Sequence, residues 1–163
     1  MVFCFRLRDF FIPRRKVLKE AGIEPGFVVL DYGSGPGGYV LATSKLVGPL
    51  GAIYSLDKND HALAMVRDIA SKHDLRNVKT IHSDCETGLD DGGVDVVLFY
   101  DTLHTISKSE RVLKELYRVL KADGLLSCSD HHMTKDDIVS RICEGGLFRL
   151  LRSGKKTHTF ARD

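Results

Sequence analysis

The chain has 163 residues, of which 43% are hydrophobic and 28% are charged, and these values are close to the averages of globular domains. Its formal net charge is only +2 at pH 7, which argues against a nucleic-acid partner. A chain of this length is expected to form a single domain over residues 1–163. No apolar run approaches the roughly 18 residues that a membrane-spanning helix needs, so we expect no stable membrane insertion.

Residues 1–25 are predicted to form an N-terminal helical segment. Its apolar residues could form a mobile lid over the substrate or pack the segment against the rest of the fold, and both interpretations stay open. These residues are Phe3, Phe5, Phe10, Phe11 and Ile12. The start of the chain lacks the long apolar stretch and the cleavage site of a secretory signal peptide.

The four cysteines lie far apart in the sequence, at Cys4, Cys85, Cys128 and Cys143. None has the C-x-x-C spacing of a zinc site or of a thioredoxin-like redox motif. Isolated thiols are typical of reducing compartments, so we expect reduced cysteines and a cytoplasmic protein.

Short apolar runs alternate with helical patterns along the rest of the chain. The apolar runs predict five strands, over residues 28–30, 52–56, 78–82, 94–100 and 125–129. A helix is expected from Gly37 to about Val47, and another is expected to begin at Asn59 or Asp60, which are both good N-cap residues.

Two later helices carry capping signals in the sequence. Ser107 and Glu110 have the spacing of a capping box, and Gly124 is expected to end the apolar stripe that follows them. Thr134 and Asp137 predict the start of a short helix. This helix is expected to end at residues 145–146. The last predicted element is a hairpin formed by residues 148–151 and 158–161.

Five strands that alternate with helices are typical of a doubly wound parallel sheet. We therefore expect an α/β fold with a mostly parallel seven-stranded sheet and a C-terminal antiparallel hairpin. Ligands of such sheets bind beyond the carboxyl ends of the strands, so the residues directly after each strand are the candidates for function.

The strongest motif is the glycine-rich stretch LDYGSGPGG at residues 30–38. Glycines permit positive φ and a close approach of the backbone to a ligand, and the helix that follows favours an anionic group. Gly33, Gly35 and Gly38 also satisfy the G-x-G-x-x-G pattern of nicotinamide enzymes. Asp31 argues against a pyrophosphate here, because its carboxylate would repel one but could accept a hydrogen bond from an amine.

Five segments between Leu30 and Leu126 resemble, in the same order, those of class I S-adenosylmethionine-dependent methyltransferases, of the small-molecule kind typified by enzymes of ubiquinone and menaquinone biosynthesis. They are LDYGSGPGG, SLDKND, HSDCE, VDVVLFYDTLH and LYRVLKADGLL. The resemblance implies a Rossmann-like methyltransferase fold, S-adenosylmethionine as the cofactor and a small-molecule methyl acceptor.

The resemblance also implies which residues hold the methionine and ribose parts of the cofactor. Gly33 and Gly35 would pack under them, and Asp31 would orient the loop and the amino group. Asp57 would accept hydrogen bonds from both ribose hydroxyls, although an acid at this position is often only a helix N-cap. The neighbouring residues assigned to the same site are Ser34, Pro36 and Lys58.

Four further residues are assigned by the resemblance to the other parts of the cofactor. Asp84 would accept from the adenine amine, with Cys85 beside the ring. Tyr100 and Asp101 would lie near the methionine portion and the methyl group.

Two histidines follow strands that should face the methyl acceptor, His104 after the fourth strand and His131 after the fifth. Either could deprotonate the acceptor, or both could serve only as hydrogen-bonding walls of the pocket. Asp101 and Asp130 match the positions of the magnesium-binding acids of catechol-type methyltransferases. Only these two hard ligands are visible, so no metal is expected.

Two other functions remain open from the sequence. The chain could be a non-catalytic S-adenosylmethionine-binding module that needs a partner subunit, or a nicotinamide-dependent oxidoreductase. A partner protein, or the second subunit of a homodimer, could also complete the acceptor pocket.

Overall fold

The computed structural model describes residues 14–163 and arranges them around a seven-stranded sheet. The strands are β1 (Val28–Tyr32), β2 (Ala52–Asp57), β3 (Val78–His82), β4 (Val94–Tyr100), β5 (Leu120–Ser129), β6 (Phe148–Ser153) and β7 (His158–Arg162). Their order across the sheet is β3-β2-β1-β4-β5-β7-β6. Strands β1 to β5 are parallel, and β7 is antiparallel to both β5 and β6. The predicted fold class is therefore confirmed.

Helices pack on both faces of the sheet. They are α1 (described over residues 14–20), α2 (Val40–Val47), α3 (Asp60–Lys72), a short 3-10 helix (Leu103–Thr105), α4 (Ser109–Val119) and α5 (Lys135–Cys143). On one face, Leu116 of α4 and Ile142 of α5 are buried in the same apolar cluster as Phe99 of β4. On the other face, Leu18 of α1 is buried with Leu98 of β4. The central strands are thus covered on both sides, which explains why β4 is nearly all apolar.

Two of the predicted helix starts are confirmed by their caps. The Asn59 side chain accepts hydrogen bonds from His61 N at 3.0 Å and from Ala62 N at 3.4 Å at the start of α3. The Thr134 hydroxyl accepts from Asp137 N at 3.2 Å at the start of α5. Both side chains replace intrahelical partners that the first backbone N–H groups lack.

Three predicted helix boundaries are wrong. Helix α2 begins at Val40 and not at Gly37, because Gly37 has a φ of 82° and belongs to the preceding turn. The N-cap of α4 is Lys108, which makes no side-chain cap, and Glu110 instead pairs with Lys114 at 2.6 Å. No capping box therefore forms.

Gly124 does not end α4 either. The helix ends at Val119 and β5 begins at the next residue, so Gly124 lies inside the strand. A Cβ on Gly124 would lie 3.1 Å from the carbonyl oxygen of Asp95 on β4. The glycine here allows two strands to approach closely, a role that sequence cannot distinguish from a helix stop.

Helix α1 lies across one face of the sheet and is tied to the far hairpin. The five residues predicted as a lid or as packing lie outside the described residues, but residues 14–20 are helical as expected. Val17 and Leu18 are buried in the core. The Glu20 carboxylate accepts three backbone N–H bonds, of 2.9 to 3.1 Å, from residues 155–157 in the β6–β7 turn. Within residues 14–163, no helix is both long and apolar enough to cross a membrane.

Candidate functional site

A cavity of about 420 Å³ opens at the carboxyl ends of β1 to β4, where a ligand is expected on this fold. The structure places six of the predicted cofactor residues in its wall: Gly33, Asp57, Lys58, Asp84, Cys85 and Asp101. The start of α4 contributes further wall residues, among them Lys108, Arg111 and Val112.

The glycine loop between β1 and α2 is held by backbone bonds to β2. Gly33 N and Ser34 N both donate to the carbonyl oxygen of Leu56, at 2.8 and 3.0 Å. Gly33 and Gly35 have φ values of 75° and 52°, which favour glycine. A Cβ at Gly35 would meet no atom within 4 Å, so this part of the loop leaves open space beside the backbone.

Asp57, at the end of β2, fastens this loop. Its Oδ2 accepts from Gly35 N at 2.8 Å, and its Oδ1 accepts from Asn59 N at 2.9 Å. A carboxylate has about four lone-pair sites, so two remain for hydroxyl donors such as those of a ribose. Asp57 therefore combines the predicted position in the cavity with a loop-fixing role that the sequence did not reveal.

Asp31 is a buried acid whose Oδ2 has no hydrogen-bond partner within residues 14–163. Burial, and then the charge of Asp57, raises the Asp31 pKa to about 7. The hydroxyls of Ser34 and of Ser55, which lies opposite Asp31 in the β1–β2 register, are also buried without a partner in this part of the chain. Unpaired buried polar atoms are costly, and a cationic donor would satisfy Asp31. Asp31 is not among the described residues that line the cavity, so its contact with the ammonium group of a ligand remains a prediction.

The loop after β3, where the adenine contact is predicted, forms another part of the cavity wall. The Asp84 carbonyl oxygen accepts from the Tyr32 hydroxyl at 2.8 Å, which fixes the backbone while the side chain stays exposed at the cavity. Cys85 is buried beside it, and burial raises the pKa of its thiol. Cys85 therefore presents an apolar surface to the cavity.

Tyr100 is buried on the face of the sheet that packs against α1 and α2. Its ring lies 4.9 Å from that of Tyr39, and its hydroxyl lies 2.8 Å from Ser127 Oγ. Tyr100 is not among the described residues that line the cavity. Its predicted contact with the cofactor remains a prediction.

Asp130, after β5, is a fully buried carboxylate paired with His104. Its Oδ2 accepts from His104 N at 3.0 Å and lies 2.8 Å from His104 Nδ1, and its Oδ1 accepts from His132 N at 3.0 Å. Burial would raise the Asp130 pKa, but these hydrogen bonds outweigh it and lower the pKa. An ionised carboxylate can only accept, so His104 Nδ1 carries the proton and Nε2 of the neutral ring is left as an acceptor.

Asp101, after β4, makes a similar but more exposed pair with His131. Asp101 has a φ of 48°, and its Oδ1 accepts from His131 N at 3.0 Å and lies 2.5 Å from His131 Nδ1. The side chains of His131 and Asp101 are 68% and 48% exposed, against 30% and 0% for His104 and Asp130. The ring of His132 lies between the other two imidazoles, 4.2 Å from His104 and 3.9 Å from His131. No group of three or more ligating side chains within residues 14–163 is arranged to hold a metal.

Sequence reasoning missed two residues that contact the glycine loop, Arg14 and Thr102. Arg14 Nη1 donates to the Gly38 carbonyl at 2.6 Å, and its guanidinium lies 5.5 Å from the centre of the Tyr39 ring. Thr102 fills the space that a side chain at Gly33 would need. The Arg14 contact spans 24 residues of sequence, and no local pattern in the sequence predicts it.

A doubly wound sheet, a glycine loop and acids after β2 and β3 define a site for a nucleoside-containing cofactor. A family model described as a methyltransferase domain matches residues 23–157. The chain belongs to the class I S-adenosylmethionine-dependent methyltransferases, and the nicotinamide alternative is set aside.

Individual relatives agree with this family. The chain is 32% identical over 116 residues to a demethylmenaquinone methyltransferase of Staphylococcus aureus, which covers 71% of this chain and 47% of that protein. The chain thus spans about half the length of the curated relatives it matches. A crystal structure of an S-adenosylmethionine-dependent methyltransferase from Aquifex aeolicus superposes with a TM-score of 0.82 at 29% identity, covering 96% of this chain and 91% of that one. Coclaurine N-methyltransferase bound to N-methylheliamine and S-adenosylhomocysteine shares the fold, with a TM-score of 0.67 at 19% identity over 74% of this chain and 35% of that chain.

Proposed function

We propose that the protein transfers the methyl group of S-adenosylmethionine to a small-molecule acceptor. The observation that carries this proposal is the buried Oδ2 of Asp31, which precedes the glycine loop and has no hydrogen-bond partner among residues 14–163. An ammonium group would satisfy this oxygen, whereas a phosphate group would be repelled by it. Among the functions considered, only the methyltransferase and the related binding module use a cofactor with an ammonium and no phosphate.

The chain's own residues would hold the cofactor along the cavity. Asp31 would bind the ammonium, Asp57 the ribose hydroxyls and Asp84 the adenine amine, with Cys85 against the ring. The residues of the loop and of the strand ends would complete the site: Gly33, Ser34, Gly35, Pro36, Lys58, Tyr100 and Asp101. When bound, this cofactor supplies a methyl group that its sulfonium already activates, so the protein contributes mainly position and environment.

His104 is the base that we propose for the acceptor. Its Nδ1–H group donates a hydrogen bond to the buried Asp130. Nε2 is therefore the ring nitrogen that would accept a proton from a hydroxyl or amine of the acceptor. The more exposed His131 would hydrogen-bond the acceptor. The name of the S. aureus relative makes demethylmenaquinone the first acceptor to test.

The remaining parts of the proposal concern the setting of this site. A single domain over residues 1–163 is proposed, with residues 1–25 as an N-terminal helical segment whose first apolar residues either form a substrate lid or pack on the fold. A cytoplasmic location is supported by Cys85, Cys128 and Cys143, which are unpaired in the described residues. A second subunit or a partner protein would complete the cover, because the His131 side of the site is open to solvent.

Calorimetry and a methyl-transfer assay test the proposal together. We expect S-adenosylhomocysteine to bind at micromolar concentration, with no measurable binding of NAD or NADP. Tight NADH binding without S-adenosylhomocysteine binding would overturn the proposal. Transfer of label from methyl-labelled cofactor to demethylmenaquinone supports a catalyst. Cofactor binding without transfer to any acceptor, quinone, phenol or amine, favours the non-catalytic binding module instead.

A further inference from the structure

Positive charge is concentrated where helix α1 meets the β6–β7 hairpin. Six exposed cations from these two segments form what we call the cationic surface: Arg15, Lys16, Lys19, Arg152, Lys155 and Lys156. Glu20 is the only acid in residues 15–20 and 152–157. The formal net charge of the whole chain is only +2, so the rest of the chain is net negative. The surface is therefore a local feature that the overall charge does not reveal.

Glu20 holds the two segments of this surface together. Its carboxylate accepts from Lys155 N at 3.1 Å and from Lys156 N at 3.0 Å, and its carbonyl oxygen accepts from Arg152 Nη2 at 3.1 Å. A Cβ at Gly154 would lie 2.4 Å from Glu20 Oε2, so the turn closes directly on the carboxylate. Because the turn binds Glu20 through backbone N–H groups, the ammonium groups of both lysines stay outside this contact.

The six cations are not neutralised by neighbouring acids. Within residues 14–163, none of them forms an ion pair with an aspartate or a glutamate. Helix α4 is different, because its Lys114 and Arg118 pair with Glu110 and Glu115 on the same helix. Arg15 and Lys19 are like charges four residues apart on α1, a spacing that slightly destabilises a helix. An anionic partner would relieve this repulsion.

The cationic surface lies at the same edge of the sheet as the histidines. His158, directly after the β6–β7 turn, pairs with Cys128 near the carboxyl end of β5, and the exposed His131 follows that strand. Burial, and then the charge of Lys135, lowers the pKa of His158, whereas the charge of Glu20 raises it, so the start of α5 also lies beside the hairpin. The side of the molecule proposed to receive the acceptor therefore adjoins the cationic surface.

We propose that the cationic surface docks the protein on an anionic membrane surface, with Leu151 at the headgroup level and the carboxyl edge of the sheet towards the bilayer. Clustered lysines and arginines are attracted to anionic lipids within about a Debye length. Leu151, directly before Arg152, is 44% exposed and would bury apolar area in the interface. Residues 15–20 and 151–157 contain no aromatic ring on which nucleic-acid bases could stack, so a bilayer fits this surface better than a nucleic acid does.

Cosedimentation with lipid vesicles tests the charge of this surface. We expect the full chain to bind vesicles of phosphatidylcholine mixed with phosphatidylglycerol, less strongly as salt rises, and not to bind phosphatidylcholine alone. Replacing Lys19, Lys155 and Lys156 together by Gln should weaken binding by roughly tenfold to a hundredfold. The matched control replaces three exposed cations near the opposite edge of the sheet by Gln, and it should stay within about twofold of the wild type. These are Lys72, Arg76 and Lys79.

A single fluorescent reporter tests the orientation. The chain contains no tryptophan, so Leu151→Trp introduces the only indole. We expect its emission to shift to shorter wavelength with the anionic vesicles and to stay unchanged with the neutral ones, because the ring enters the interface. Leu50→Trp is the control, since Leu50 is 91% exposed in the loop before β2, at the opposite edge of the sheet. Its emission should not change with either vesicle.

Several results would overturn the docking surface. They are equal binding to neutral and anionic vesicles, no binding to either, equal losses in the two triple variants, and equal emission shifts at residues 50 and 151. Binding of duplex DNA that is lost in the Lys19, Lys155 and Lys156 variant, without vesicle binding, would assign the surface to a nucleic acid instead. If that variant does not fold, the two tryptophan variants still decide the question. S-adenosylhomocysteine affinity should be unchanged in the triple variants, so failure of the docking surface leaves the proposed function standing.

Discussion

Gly33 and Thr102 pack so closely that a Cβ at residue 33 would lie 2.3 Å from Thr102 Oγ1. Gly33→Ala therefore adds a steric clash to the cost of placing alanine at a φ of 75°. We expect a loss of about 2 to 4 kcal/mol in the free energy of unfolding, measured with urea, and weaker S-adenosylhomocysteine binding.

Gly88→Ala is the matched control for that substitution. Gly88 has a similar φ of 67°, but a Cβ there would meet no atom within 4 Å, so only the backbone cost of about 1 kcal/mol is expected. Thr102→Gly should recover part of the stability lost in Gly33→Ala. Equal losses at residues 33 and 88 would contradict the close contact.

Asp57→Ala should weaken S-adenosylhomocysteine binding at least tenfold, as measured by calorimetry. The substitution removes the predicted ribose acceptor, and it also releases the Gly35 N–H that Asp57 holds at 2.8 Å. Asp60→Ala is the control, because Asp60 is a nearby exposed acid that pairs with Arg67 at 3.3 Å. An affinity unchanged in folded Asp57→Ala would show that this acid only supports the backbone of the glycine loop and of residue 59.

The raised pKa of Asp31 predicts that the protein releases a proton when the cofactor binds below pH 7. Its folded-state pKa is about 7, so at pH 6 most free protein carries the proton that an incoming ammonium must displace. The heat of S-adenosylhomocysteine binding at pH 6 should vary with the ionisation enthalpy of the buffer, with up to one proton released. At pH 8.5 this dependence should vanish. A binding heat that is independent of buffer at pH 6 would contradict the raised pKa.

The same acid gives a pH dependence of stability. A carboxyl whose pKa is higher in the folded than in the unfolded state favours folding when protonated, so its contribution is lost as the pH rises from about 4 to 7. Asp31→Asn should therefore stabilise the free protein at pH 8 in urea unfolding while it weakens ligand binding. A less stable Asp31→Asn variant at that pH would show that the carboxylate has a structural partner.

The two aspartate–histidine pairs should differ in their effect on catalysis. With an acceptor that the wild type methylates, His104→Ala should lower turnover by about 10²- to 10⁴-fold, because it removes the proposed base, with little change in S-adenosylhomocysteine affinity. Asp130→Asn should also lower turnover, because it no longer fixes the His104 tautomer. His131→Ala is the matched control and should act mainly on acceptor KM. A loss below about fivefold in His104→Ala would leave the histidines as walls of the pocket.

Glu20→Gln should loosen the contact between α1 and the hairpin. The carboxylate accepts the N–H groups of residues 155–157, and although burial acts in the opposite direction, these bonds lower the Glu20 pKa. The stabilisation is present above the normal pKa of a glutamate and is lost as the pH falls through the lowered value. We expect faster amide exchange at residues 155–157 in the variant. Glu24→Gln, at an exposed glutamate, should leave that exchange unchanged.

Strand positions and strand-end acids were predictable because they depend on local patterns. Apolar runs gave β1 to β4 almost to the residue, and their order then placed Asp57 and Asp84 at one edge. The Asn59 cap was equally local, since the side chain bonds residues only two and three positions away.

The wrong and missed features depend on distant contacts. Gly124 follows an apolar helical stripe and looks like a helix stop, but pairing with β4 draws the chain into a strand from Leu120 onward. Arg14 and Glu20 contact residues 24 and up to 137 positions away, so neither has a neighbouring signal in the sequence. Those contacts arise from the packing of α1 on the sheet.

Helix α4 passes into β5 without an intervening turn, at Val119 and Leu120. Both residues are fully buried, and β5 continues to the strand end that carries Asp130. A segment without a flexible joint has no place where one half can open alone. Helix α4 and strand β5 should therefore behave as one cooperative unit, so that the α4 part of the cavity wall and Asp130, the partner of His104, are lost together in a single sub-global opening event.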